Sequence, residues 1–170
     1  MRYNIAQLMR ESVGATREYE VDEEVRNLEE AWGALRVTGK VHMLKTQRGI
    51  LVRASLHTDV PEECSRCLEM FREALDLDIE EEFFPVTDAT TGLPLELPEE
   101  AEPFTISGHH VLDLREAVRQ AILLARPIQP LCREECAGLC PECGQKLDGQ
   151  HDCVNERIDP RWEQLKQRFG

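Results

Sequence analysis

Apolar and polar residues alternate with a period of two through much of the first half of the chain, the pattern of strands with one face turned to a core. The alternation starts near Tyr19. Val37, Gly39, Val41 and Met43 stand against Arg36, Thr38, Lys40 and His42, and Ile50, Val52, Ala54 and Leu56 against Leu51, Arg53, Ser55 and His57. The intervening Thr46-Gln47-Arg48-Gly49 is a hairpin turn in which Gly supplies the special backbone angles. A third run, Phe71, Leu75, Leu77 and Ile79 against Arg72, Asp76, Asp78 and Glu80, reads as strand although Glu73 interrupts its apolar side. An antiparallel meander is the simplest topology.

Helical spacing appears elsewhere. Asp113 can cap a helix in which Leu114, Val118, Ala121, Ile122 and Ala125 form one stripe and which Pro127 ends, predicting a helix over 113–126. A short N-terminal helix is expected where Asn4 caps and Gln7 closes a capping box ahead of Leu8 and Met9. Asp159-Pro160 starts a last helix with Trp162, Leu165 and Phe169 available to dock on the body. Residues 85–103, rich in Pro, Gly, Thr and Glu, show no periodicity and read as a long mobile loop. The expected fold is α+β: an antiparallel β meander or partly closed barrel with a packed helix over residues 1–130, then a small Cys-rich, zinc-binding module with a C-terminal helix over residues 131–170.

The cysteines supply the strongest chemistry. Five of seven fall between Cys132 and Cys153, and Cys140-Pro141-Glu142-Cys143-Gly144 has the spacing of a zinc knuckle. That segment has too few large apolar residues for its own core, so one structural zinc ion is expected to supply folding energy. The expected ligands are Cys136, Cys140, Cys143 and Cys153, with Cys132 as alternate. Cys64-Ser65-Arg66-Cys67 is a second pair, read as a turn with inward thiols or as a partial metal site completed by Cys140 and Cys143 from the far end of the chain. It does not sit at a helix start, where a redox-active cysteine is activated, so thiol-disulfide catalysis is disfavoured. Iron competes with zinc, but tetrathiolate iron sites pair two similar knuckles, and Cys132 and Cys136 are separated by three residues with no Gly following.

Composition narrows the partners. A net charge of -13 argues against a general electrostatic grip on nucleic acid. No Lys or Arg lies between Arg72 and Arg115, whereas that span holds Asp76, Asp78, Glu80, Glu81 and Glu82 among other acids: a solvated stretch, or a docking surface for a basic partner. Basic residues that could meet RNA are sparse, around Arg157, Arg161, Lys166 and Arg168. Adjacent His109 and His110 form no triad pattern, and no phosphate-cradling loop or His-Glu-x-x-His is present, so no enzyme is expected. No apolar run is long enough to span a membrane, and the odd number of cysteines suits a reducing compartment, so the cytoplasm is the expected location.

With these features in order, the chain resembles the YceD-like family of large ribosomal RNA subunit accumulation proteins. The resemblance is carried by Asn4-Ile5-Ala6-Gln7-Leu8, by Cys64-Ser65-Arg66-Cys67-Leu68, by the run from Leu131 to Gly144, and by Arg157-Ile158-Asp159-Pro160-Arg161. The Asn-Leu-Asn common after the family's knuckle is here Lys146-Leu147-Asp148. The resemblance implies a non-catalytic role in accumulation of large-subunit ribosomal RNA. The acidic charge adds an expectation, a basic ribosomal protein or assembly intermediate as partner, with no small-molecule substrate. The alternative is a redox-responsive or electron-transfer protein using Cys64 and Cys67 or the C-terminal thiols.

Overall fold

The computed structural model describes residues 1–98 and 104–147. The four long strands are those in which alternation is sustained: β2 (Thr16–Val25), β3 (Leu35–Lys45), β4 (Ile50–Glu63) and β5 (Met70–Pro85). Each pairs antiparallel with the next, giving the expected meander. Three short strands, β1 (Arg2–Asn4), β6 (Thr105–Ile106) and β7 (Val111–Asp113), extend it into a seven-stranded half-barrel sheet of order β1-β7-β6-β5-β4-β3-β2. The short helix α1 (Ala6–Arg10) and the main helix α2 (Arg115–Ala125) complete an α+β fold that is mostly β.

The inner face of the sheet carries Val37, Val41, Met43, Ile50, Val52, Leu56, Leu77 and Ile79, all buried in one core with Leu8 of α1 and Val118 and Ile122 of α2. On the outer face the residues fall into rows that cross the strands. Glu18, His42, Arg53 and Glu80 are in register, as are Glu20, Lys40, Ser55 and Asp78. The outer strands thus supply acids and the middle strands bases. Arg36 pairs with Asp22 and Arg53 with Glu80, so both arginines of this face are already met.

Four local expectations shift. In α1, Ile5 takes the N-cap place, and Asn4 Oδ1 accepts the Ala6 amide at 3.1 Å from one residue further out. Asp113 is the last residue of β7, and its Oδ1 accepts the Arg115 amide at 3.1 Å while Leu114 takes the N-cap place. The buried stripe of α2 runs through Ala117, Val118 and Ile122, and Ala125 is exposed. Within the expected loop, residues 86–95 form a closed turn: Asp88 accepts the amides of Thr90 and Thr91, and Leu95 donates to the Val86 carbonyl. The helix expected after Asp159 lies outside the described residues.

The feature that positions the site is the β4–β5 hairpin. β3 stops pairing with β4 at Thr58, whereas β4 and β5 remain paired to Glu63 and Met70. The hairpin end therefore passes beyond its neighbour. Near its tip, buried Glu62 meets the Arg126 guanidinium at the end of α2, and that guanidinium lies 5.6 Å from the ring centre of Trp32. Helix α2 is fastened there, and the chain continues through Pro130 to the hairpin tip.

Candidate metal centre

Cys64 follows β4 directly, and the chain turns back through Cys67 into β5. The turn is tight: the Cys64 amide donates to the Glu69 carbonyl at 2.9 Å and the Leu68 amide to the Cys64 carbonyl at 2.9 Å. The same pattern recurs at the predicted knuckle. There the Cys140 amide donates to Gln145 at 2.7 Å and the Gly144 amide to Cys140 at 2.8 Å. Both turns need a residue with positive φ four places after the first cysteine, Gly144 at 71° and Leu68 at 59°. Cys64 and Cys67 therefore form a knuckle without the glycine that marks one in a sequence.

The second half of the site comes from the segment after α2. Ser65 donates its amide to the Pro130 carbonyl at 2.9 Å, and Arg66 Nη1 donates to the carbonyls of Glu134 and Cys136 at 3.2 and 2.9 Å. Lys146 is ion-paired to Glu69. Gly138, with φ of 80°, passes so close that a Cβ there would lie 3.1 Å from the Arg66 carbonyl oxygen. These contacts seat Cys132 and Cys136 over the knuckle.

The sulfurs of Cys64, Cys67, Cys132 and Cys136 all lie within 4.8 Å of one another. Cys64 and Cys136 are 3.8 Å apart, and Cys67 and Cys132 3.7 Å. Four thiolates held about 2.3 Å from a tetrahedral ion stand roughly 3.8 Å apart, so the donor set fits such an ion. Three of the four residues are buried, Cys132 is half-buried, and Phe71, Leu131 and Leu139 pack around them. Among the described residues this is the one cluster of metal-ligating side chains.

The thiols also carry the electrostatics of a cation site. The Cys132 backbone amide, acting against burial and joined by the amides of Cys67 and Arg66, draws the Cys64 thiol down to about 6. Burial, and then the neighbouring Cys67, Cys64 and Cys136 thiols, push Cys132 up to about 12. At Cys67 the Glu69 amide favours the thiolate, but burial and the adjoining Cys64 and Cys136 groups raise it overall. One thiolate is thus favoured and its neighbours resist ionising beside it, a conflict that a bound divalent cation removes.

Of the cysteines expected to ligate, the structure brings Cys136 and the alternate Cys132 into this group. Their companions are Cys64 and Cys67, for which the sequence suggested Cys140 and Cys143 as the completing pair. Cys140 and Cys143 lie on their own turn, closed by the bridge between Leu139 and Lys146. Cys153 lies outside the described residues, as do Arg157, Arg161, Lys166 and Arg168. His109 is exposed, and His110 is half-buried in the turn before β7 with φ of 58°.

Fold and site together define a class: a mostly β half-barrel protein in which four cysteines from two distant segments converge on a candidate metal centre. The chain belongs to the family described as large ribosomal RNA subunit accumulation protein YceD, whose model matches residues 52–167 and so takes in all seven cysteines. It is 34% identical over 122 residues to uncharacterized proteins of Mycobacterium tuberculosis and Mycobacterium bovis, a match covering 72% of this chain and 56% of each relative. A Mycobacterium leprae protein is 28% identical over 137 residues, covering 79% of this chain and 59% of the relative. The chain thus spans little more than half the length of these relatives. No solved structure matches it.

Proposed function

We propose that this protein is a non-catalytic ribosome biogenesis factor, needed for accumulation of large-subunit ribosomal RNA and acting by binding a basic ribosomal protein or an assembly intermediate. The family assignment supports the first part. The observation that carries the second is the outer face of the sheet, where Arg36 and Arg53 are neutralised by Asp22 and Glu80 while Asp76 and Asp78 meet only His57 and Ser55. Such a face repels phosphates and attracts Lys and Arg. The cytoplasm follows from ribosome assembly, and no helix among the described residues is long and apolar enough to cross a membrane.

The ion assigned to Cys64, Cys67, Cys132 and Cys136 is zinc in a structural role. Four protein thiols fill a tetrahedral shell and leave no position for water or substrate. Only the Cys64 half is a knuckle, which favours zinc over an electron-transfer iron site. The redox alternative draws support from the lowered Cys64 thiol, but the knuckle lies between two strands, away from a helix N-terminus. A colourless protein containing zinc separates the two readings, and iron absorption favours the alternative.

Incubation of the purified protein with individual large-subunit ribosomal proteins is expected to retain at least one, with binding weakened by salt. Salt-insensitive binding to naked ribosomal RNA, with no protein retained, would sink the proposal.

A further inference from the structure

The long strand β5 has a strand neighbour on only part of one side. β4 runs along it from Met70 to Phe83, but on the other edge β6 pairs only with Phe84 and Pro85. Among the described residues, Asp76 to Glu81 thus present an edge with no strand beside it. Backbone amides and carbonyls along such an edge are a template for another chain.

That edge borders an open cleft of about 300 Å³ whose opposite wall is helix α2. The two walls differ in chemistry. On the strand side Asp76, Asp78 and Glu80 recur at every second residue and point to the outer face, with Glu81 at the rim. Glu80 is paired with Arg53, whereas Asp76 and Asp78 have only His57 and Ser55. On the helix side stand Ala121 and Leu124, and Leu124 is 87% exposed. Acids alone would only blunt the edge against self-pairing; the adjoining uncovered apolar helix face gives the edge two complementary surfaces.

We propose that the β5 edge from Asp76 to Glu81 accepts an extended basic segment of a partner protein as an added strand. This rests on the protein-binding reading above and names the site and the mode. Side chains of an added strand alternate between faces. Its Lys or Arg residues fall opposite Asp76 and Asp78 on the outer face, and its intervening apolar residues fall toward Ala121 and Leu124. The partner segment is therefore one in which basic and apolar residues alternate, and main-chain hydrogen bonds add to the charge attraction.

The test uses the full chain and labelled peptides of about six residues in which lysine and valine alternate. The alternating peptide is expected to bind about tenfold more tightly than an isomer with its lysines in one block, or than the same peptide N-methylated at every second amide. Double substitution of Asp76→Lys and Asp78→Lys, or the single Leu124→Lys, is expected to weaken it about tenfold. All three positions are exposed, and unchanged metal content checks that the variants fold. Equal binding of the blocked or methylated peptide, no binding, or binding indifferent to the substitutions overturns the proposal. If a large-subunit protein is retained equally by D76K/D78K, the edge is wrong and the broader reading stands. If no such protein is retained while the alternating peptide binds as described, the broader reading fails and the edge stands.

Discussion

Leu68 shows how one backbone angle disguised a knuckle, leaving Cys64 and Cys67 without the glycine that marks one in a sequence. It is 57% exposed and holds φ at 59°, a conformation that costs an L-residue about 1 kcal/mol and glycine almost nothing. Replacing Leu68 with Gly is therefore expected to stabilise the metal-loaded protein by roughly 0.5–1 kcal/mol, measured by urea denaturation. Asp113 gives a second residue-level expectation. Burial opposes its charge, but the Arg115 and Arg2 guanidinium groups and the Arg115 amide outweigh that and hold the carboxyl well below the usual range. A carboxyl depressed in the fold adds stability above its unfolded value and loses it as pH falls through the folded one. Wild type should lose this contribution below about pH 4. Asp113→Asn should cost about 1 kcal/mol at pH 7, a figure discounted for the pair's exposure, and show a shallower decline with acid in pH-dependent unfolding.

At the scale of elements, the meander and α2 were legible because their burial is periodic: Ile50, Val52, Ala54 and Leu56 are buried at every second residue, and Val118 and Ile122 share one helix face. The short strands β1, β6 and β7 were not, since two or three residues cannot display a period. Their pairing is decided by the sheet they join. The candidate site was half legible. Cys132 and Cys136 stood out by clustering, but their union with Cys64 and Cys67 spans more than sixty residues and depends on a hairpin outrunning its neighbour. The expected boundary near residue 130 falls between the two halves of the site, joined across it by Ser65, Arg66 and Pro130. Removing metal with a chelator should therefore speed amide exchange in residues 64–69 and 131–147 together, while β3 and the paired part of β4 keep their protection. Loosening confined to 131–147 would mean that the hairpin tip holds itself.

For the whole molecule, the acidic sheet face and the four-cysteine site occupy separate regions. The acidic sheet face and the β5 edge are far in sequence from the C-terminal cysteines and are built on the meander core. Glu62 and Arg126 connect the two regions through the end of α2. Glu62→Gln leaves the guanidinium over Trp32 without its counter-charge and should cost about 1–3 kcal/mol in chemical denaturation. Because the contact lies between α2 and the hairpin, that variant should also weaken metal retention during chelator challenge. A stability loss with unaltered metal retention would separate the two regions.

The central claim is that Cys64 and Cys67 hold the same ion as Cys132 and Cys136. Metal analysis of the purified chain and of its Cys67→Ser variant tests it most directly. The substitution is expected to remove one zinc ion per chain, in keeping with a closed tetrathiolate site. A Cys67→Ser protein that carries as much zinc as the wild type would contradict it.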